Sequence, residues 1–435
     1  MAGVSVTPLD ARLDSPVAIA VADLEPGSRV RLRLRHHTLS AEACANFIAS
    51  GDGIVDVATQ APVAGDYEGV DPAGLFWSAR FDEGSDVGSM VSALSRLEPL
   101  AYTLTASADD GWSATVDFTR RLVASNVVGM PVRDGRVRGT LFAIDGTTNA
   151  PGVIVLGGSD GGNLWAFVAA LLAAHGIVAL SLPYFAYEDL PHELVEIPLE
   201  YFTEAIDWLR ARPEVGNARV GVLGMSRGGE AALLLGASFP EVAAVVALVP
   251  SGVTGGGIGA DFSAMGRSAW TLEGVPFAIF PKPGDPLTFD EAQLAFSTGA
   301  PFLGAPSMLR ALAAAGAQID DAAIRVERTR GAIFMMSAED DQLWASTRLT
   351  EIAEDRLTRA TFPYPFEHRR YPSAGHFACL PPNLPATSTV GRHPVVPMSL
   401  AFGGAAPGNA AASADLWPRI VTFLHRHLAV APAAT

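Results

Sequence analysis

The 435-residue chain is poor in cysteine, in lysine and in charge of either sign. Its two cysteines, Cys44 and Cys379, stand far apart in the sequence. Two such residues make neither a disulfide framework nor a paired metal motif, and they fit a reducing, cytoplasmic setting. Lys282 is the one lysine, so arginine carries almost all the positive charge. Charged residues make up 17% of the chain against 49% hydrophobic ones, a balance that excludes a disordered chain. The net charge is −16, and a diffuse acidic surface disfavours nucleic acid and anionic membrane as partners. The opening MAGVSVTPLDARLDSP lacks the basic start and apolar core of a secretory signal. The closing APAAT lacks a peroxisomal tripeptide. The longest apolar stretch, FVAALLAAHGIVALSLPYF from Phe167, is interrupted by His175, Gly176 and Pro183. It reads as a helix, a turn and a buried strand rather than a membrane span. No HExxH, Cys/His metal spacing, GxGxxG fingerprint or P-loop is present, so no metal and no cofactor are expected.

What is present divides into two grammars. Residues 1–125 read as β structure. VRLRLRH (Val30 to His36), YTLTAS and WSATVDF alternate apolar and polar residues with period two, and turn signals separate them near Pro26, Gly51 and Asp109. Short alternating strands at that spacing predict an antiparallel sandwich. A short helical piece near SMVSALSRL is the one exception. From residue 126 to 435 the apolar runs become continuous: GVIVLGG, GIVALSLPYF, RVGVLGMS, VAAVVALVP and GAIFMMS. Strands apolar on both faces belong to a parallel sheet covered by helices. Helical stretches alternate with them (LWAFVAALLAAH, LEYFTEAIDWLRAR, GGEAALLLGASF), which predicts a doubly wound α/β domain. Residues 251–326 form a less regular insertion, a possible cap, with Gly255-Gly256-Gly257, FPKPGDP and a helical SMLRALAAAG.

The α/β part holds two Gly-x-Ser-x-Gly patterns, each after a strand: Gly157 to Gly161 and Gly224 to Gly228. The pattern alone is weak, because small residues suit any tight βα turn. The second copy has the context of a nucleophile elbow, with RVGVLGM as the strand and RGGEAALLLGA as the helix. A serine needs a base, and the base needs an orienting carboxylate. In this fold the chain order is serine, acid, histidine. After Ser226 the buried strand GAIFMMS delivers Glu339, Asp340 and Asp341, and HRRYPSAGHF then brings His376. Counting three residues past Ala338 gives Asp341 as the acid, with Asp340 the alternative. The expected oxyanion donors are the backbone N–H of Arg227 and one from about Ser159, in the loop GGSDGG. The remaining histidines suggest no catalytic role: His36 and His37 as solvated residues of the β half, His175 as a helix end, His425 and His427 in the last helix, and His192, His368 and His393 without a partner pattern. Cys44 and Cys379 read as packing residues.

Together these residues resemble a known family. Gly224-Met-Ser226-Arg-Gly228-Gly-Glu230 is similar to the elbow of the type I acyl-CoA thioesterase and bile acid-CoA:amino acid N-acyltransferase family. LEPGSRVRLRLR and DYEGVDPAGLFWS resemble its N-terminal domain, VRDGRVRGTLF its domain junction, EDDQLW its acid strand, and YPSAGH with FGG…ADLWPRIVTFLHRHL its end. The resemblance implies an α/β-hydrolase domain preceded by a smaller all-β immunoglobulin-like sandwich. It implies a Ser226–His376–Asp341 serine hydrolase cleaving acyl thioesters, with acyl transfer to an amine or alcohol, or cleavage of small esters or amides, as alternatives. In the family a serine nucleophile goes mostly with hydrolysis and a cysteine with transfer to an amino acid. The chain departs from the pattern at Arg227, commonly lysine, at Gly229, commonly alanine, and at Ser159 and Asp160, where the family is plainer and glycine-rich. An acid beside an oxyanion loop could alter substrate preference. If coenzyme A is the leaving group, its phosphates need arginines from the insertion or the sandwich domain.

Overall fold

A computed structural model gives the protein's residues 2–259, 262–282, 290–316, 318–396 and 398–429. The end of FPKPGDP, residues 283–286, and the closing APAAT lie outside the described residues.

The alternating segments of the first part pair as their period requires. Arg29–His36, Ala41–Ile48, Leu100–Ala108 and Ser113–Arg121 form the body of a seven-stranded sheet, and Gly3–Thr7, Ala18–Ala22 and Val55–Asp56 form a separate three-stranded one. Val30, Leu32 and Leu34 are buried, while Arg29, Arg31 and Arg33 are exposed. His36 shares the parity of the buried residues, so it is not solvated as its polarity suggested. Its ring packs 4.1 Å from Tyr102, and burial pushes its pKa down to about 3. His37, one residue on, is exposed. The short helical piece near SMVSALSRL is Val87–Leu94, capped by Asp86, whose carboxylate accepts from the Ser89 N–H.

The second part is built on one eight-stranded sheet. Its strands are β1 (Val127–Asp134), β2 (Val137–Ile144), β3 (Gly152–Leu156), β4 (Val178–Ser181), β5 (Val220–Met225), β6 (Val242–Leu248), β7 (Ala332–Ala338) and β8 (Phe366–Tyr371). The order across the sheet is β1-β2-β4-β3-β5-β6-β7-β8. β2 is antiparallel to β1 and β4, and every other pairing is parallel. This is the α/β-hydrolase order. β3, β4, β5, β6 and β7 are buried along their whole length, as continuous apolar runs demand. The covering helices are α1 (Ala166–Ala174), α2 (Leu199–Arg210), α3 (Arg227–Ser238), α5 (Ser346–Arg359) and α6 (Ala406–Leu428), while α4 (Ala305–Ala314), the predicted SMLRALAAAG helix, lies in the insertion. Because β3 through β8 run parallel, the turns after β3, β5, β7 and β8 open on one edge of the sheet, where open α/β sheets place their sites.

The two parts share one hydrophobic core and are joined by polar contacts, some of them on residues just before Ala18. Asp14 accepts from Trp417 Nε1 of α6 at 2.9 Å and pairs with His175, the residue that closes α1. Asn383 donates to the Leu13 carbonyl at 2.7 Å. Among the described residues no helix is long and apolar enough to cross a membrane.

Candidate active site

Ser226 ends β5 and opens α3 with φ of 58° and ψ of −119°. A side-chain-bearing residue at positive φ is strained and persists only where its surroundings hold it. Here the Ser226 N–H donates to Leu248 O of β6 at 2.8 Å, and its carbonyl accepts from the Glu230 N–H at 3.0 Å. The flanking glycines are there because of close approach. A Cβ on Gly224 would stand 1.9 Å from Gly228 O, and one on Gly228 would stand 2.2 Å from Gly157 O. The elbow and the loop after β3 therefore touch backbone to backbone. Ser226 is 4% exposed. The Arg227 N–H is the first of α3 and lies among the amides that a helix leaves unpaired at its start.

The turn after β7 delivers Asp341. Asp341 Oδ2 receives His376 Nδ1 at 2.8 Å, while Asp341 Oδ1 accepts the N–H groups of Leu343 (3.0 Å) and Trp344 (3.3 Å). Both side chains are buried. An ionised carboxylate only accepts, so the proton sits on Nδ1 and leaves Nε2 free to act as a base. The His376 ring packs among Trp344, Phe377 and Phe402, and its backbone N–H donates to Phe402 O at 2.8 Å. Asp340 turns elsewhere: its Oδ2 accepts the Gly404 N–H at 3.0 Å. The structure thus joins Asp341 to His376. It does not join His376 to Ser226, for neither Ser226 Oγ nor His376 Nε2 makes a hydrogen bond among the described residues. Such bonds often tighten only with substrate bound.

The loop Gly157 to Gly162 faces the serine. A Cβ on Gly158 would lie 3.2 Å from Ser226 Cβ and 3.4 Å from Asp160 Oδ1. Tyr184 OH, buried beneath, donates to the carbonyls of Gly157 (2.8 Å) and Gly158 (2.9 Å). Trp165 Nε1 donates to Asp160 Oδ2 at 2.9 Å. Burial pushes the Asp160 carboxyl up to about 6, against the pull of Trp165, the nearby amides of Asp160 and Gly158, and the charge of His376. His393, which showed no partner pattern in sequence, lies 3.0 Å from Ser159 Oγ through Nε2. Its Nδ1 accepts from Val395 N–H (3.2 Å) and Val396 N–H (2.9 Å). The His393 proton is therefore on Nε2, and the imidazole donates to Ser159 instead of taking its proton. Burial holds its pKa down to about 4.

Sequence reasoning also missed what the Arg227 side chain does. Its Nη1 pairs with Glu230 Oε2 at 2.7 Å, one turn along α3, and its Nη2 donates to Gly256 O at 3.0 Å. Glu230 Oε1 accepts from Trp270 Nε1 (2.7 Å) and the Gly255 N–H (3.0 Å). This buried set fastens the glycine-rich start of the insertion to the elbow helix, and burial pushes the Glu230 carboxyl up. The one available signal was Glu230 itself, an acid inside a run that is otherwise apolar. His368, also without a partner in sequence, bridges Ser337 Oγ (2.7 Å) and Glu354 (3.0 Å) under α5. A cleft of about 660 Å³ lined by Leu234, Phe277, Arg325, Arg328 and Arg330 opens beside the far end of α3, away from Ser226. Among the described residues no group of His, Cys, Asp and Glu is arranged to hold a metal ion.

Residues 197–430 match the family described as BAAT / acyl-CoA thioester hydrolase C terminal, and residues 14–134 match the acyl-CoA thioester hydrolase/BAAT N-terminal region. The chain belongs to this family. It is an enzyme of the α/β-hydrolase fold. The peroxisomal succinyl-coenzyme A thioesterase of Mus musculus is 30% identical over 430 residues, covering 95% of this chain and 94% of that one. The acyl-coenzyme A amino acid N-acyltransferase 1 of Mus musculus is 28% identical over 442 residues, covering 97% of each chain. Among solved structures, a dienelactone hydrolase-like promiscuous phosphotriesterase from metagenomic libraries is similar with a TM-score of 0.42 and 15% identity, over 70% of this chain and all of that one.

Proposed function

We propose that this family member is a serine hydrolase that cleaves acyl-CoA thioesters to free acid and coenzyme A. Ser226 is the nucleophile, His376 the general base and then acid, and Asp341 the group that orients His376. The carrying observation is the buried 2.8 Å contact between His376 Nδ1 and Asp341 Oδ2 on the sheet edge that also holds the strained Ser226. Ser226 Oγ attacks the thioester carbonyl as His376 Nε2 takes its proton. The amides of Arg227 and the Ser159 loop receive the developing oxyanion, an interaction that commonly supplies about 3–4 kcal/mol. His376 protonates the departing thiolate, then activates the water that clears the acyl-enzyme. Family relatives named as thioesterases and as amino acid N-acyltransferases support the thioester half of this reading. Serine at position 226 supports water as the acceptor, because an oxyester is attacked by amines less readily than a thioester.

The test is thiol release from short, medium and long acyl-CoAs, with and without glycine or taurine, against a Ser226→Ala control. Free acid from the wild type and none from the variant is the expected result. A conjugate formed only when the amino acid is present would make the enzyme an acyltransferase. Intact acyl-CoAs throughout would remove the thioester reading and leave esters or amides as substrates.

A further inference from the structure

The loop after β3 carries a carboxylate that the mechanism above does not use. Asp160 is fixed through one oxygen, Oδ2, by the indole N–H of Trp165. Its other oxygen, Oδ1, is buried; the amides of Asp160 and Gly158 lie near the carboxylate, but no donor reaches Oδ1 in hydrogen-bond geometry. Buried carboxylate oxygens are normally paired, and one left unpaired calls for an explanation. Oδ1 lies on the side of the loop that faces the elbow, since a single point, the Cβ position of Gly158, is 3.4 Å from Oδ1 and 3.2 Å from Ser226 Cβ. The Ser226 hydroxyl has no acceptor either among the described residues. An unpaired acceptor and an unpaired donor thus flank the same glycine.

We propose that Asp160 is a second proton acceptor for Ser226, beside His376. The inference rests on Ser226 being the nucleophile, not on the identity of the leaving group. The resting structure holds no hydrogen bond between them, so the transfer needs Ser226 Oγ to turn toward Asp160 Oδ1. When Oγ bonds to the substrate carbonyl carbon, the carbonyl π pair moves to oxygen and the Oγ proton passes either to His376 Nε2 or to Asp160 Oδ1. When the tetrahedral species collapses, the bond to the leaving group breaks, its electron pair stays with the leaving atom, and the stored proton returns there. The environment of Asp160 suits this work. Its carboxyl is pushed up to about 6, near the pH at which a base is most useful. The titratable groups that face it are His376 across the site and Tyr184 beneath the loop, and Tyr184 is pushed far above its ordinary range. The Trp165 anchor holds the carboxylate as Asp341 holds His376.

The rate at which a fluorophosphonate labels Ser226 tests this from pH 4.5 to 9, in the wild type, Asp160→Asn, His376→Ala and the double variant, with thiol release from an acyl-CoA run in parallel. His376→Ala should keep slow labelling that rises with pH as Asp160 ionises, at a pH above the wild-type value of about 6 because the His376 charge that lowers it is gone. Adding Asp160→Asn should lower that residual labelling by at least about tenfold. Asp160→Glu keeps a carboxylate and should keep the residual labelling, which covers the case in which the asparagine variant does not fold. The proposal is overturned if Asp160→Asn leaves the His376→Ala labelling and its pH dependence unchanged. It is also overturned if the variant lowers only the melting temperature, which would make Asp160 a structural anchor for Trp165. Labelling that follows the expected pattern without any thiol release would overturn the thioesterase reading and leave this one standing. A wild type that is never labelled at Ser226 would overturn both.

Discussion

The chain contains the pattern Gly-x-Ser-x-Gly twice, after neighbouring strands of one sheet, and folds it in two different ways. At Gly224 to Gly228 the serine is the turn: it takes φ of 58° and α3 begins on the next residue. At Gly157 to Gly161 the positive angles belong to Gly161 and Gly162, and α1 starts only at Ala166. The first arrangement strains the serine and places it at a helix start, and the second lays the serine in a loop against the first. Three matching letters at fixed spacing therefore do not specify how a serine is presented. What differs between the two is the residue that carries the strain and the distance to the helix.

The sharpest way to break this comparison is to remove the two hydroxyls one at a time. Ser226→Ala should lower kcat by about 10⁶-fold, the scale found when a hydrolase nucleophile is removed. Ser159→Ala should cost less than about tenfold, because His393 donates to that hydroxyl and cannot take its proton. Equal losses in kcat, measured on any turned-over substrate, would contradict the assignment. The adjacent carboxylates give a second, smaller contrast. Asp341→Asn should lower kcat by about 10⁴-fold by losing the carboxylate that fixes the His376 tautomer. Asp340→Asn, whose carboxylate holds the Gly404 N–H, should change kcat by less than about threefold.

Much of this is legible in the order and composition of the chain. The succession Ser226, Asp341, His376 is a property of the sequence, and continuous apolar runs reveal the parallel strands because burial on both faces leaves them no other composition. The buried state of His36 is legible too, since Val30, Leu32 and Leu34 set the parity of its strand. What stays hidden is tertiary. Ser159 and His393 are 234 residues apart, and Glu230 and Trp270 are 40 apart, with no periodicity linking either pair. The choice between Asp340 and Asp341 likewise depends on how the chain turns after Ala338, where Gly403 and Gly404 come in from beyond β8 to receive one of the two.

A third contrast concerns why each turn needs glycine. Gly228 is there for space, since its Cβ would press on Gly157 O at 2.2 Å. Gly162 is there for its φ of 62°, with nothing closer than 3.8 Å to the added atom. Gly228→Ala should therefore drive the elbow and the facing loop apart and lower kcat/KM by about 10²-fold, the usual consequence of displacing reacting groups by an ångström. Gly162→Ala should cost about 1–2 kcal/mol of stability, read as a lower melting temperature, with the smaller effect on catalysis.

The smallest effect belongs to His393, which ties the loop to the segment between Val390–Arg392 and Ser399–Ala401. Its folded pKa, about 4, lies below the ordinary histidine value of 6.5. A depressed pKa means that the unfolded chain binds a proton the folded one refuses. The stability it contributes is whole above pH 6.5 and is lost as the pH falls through 4. His36, at about 3, works in the same direction. His393→Gln keeps a side-chain donor for Ser159 and removes the titration. Its melting temperature should therefore fall less steeply than the wild type's between about pH 6.5 and 4, while kcat at about pH 8 stays within about threefold. An unchanged slope would mean that protonated His393 finds a place in the folded loop, and the fixed tautomer that makes His393 a donor to Ser159 would lose its support.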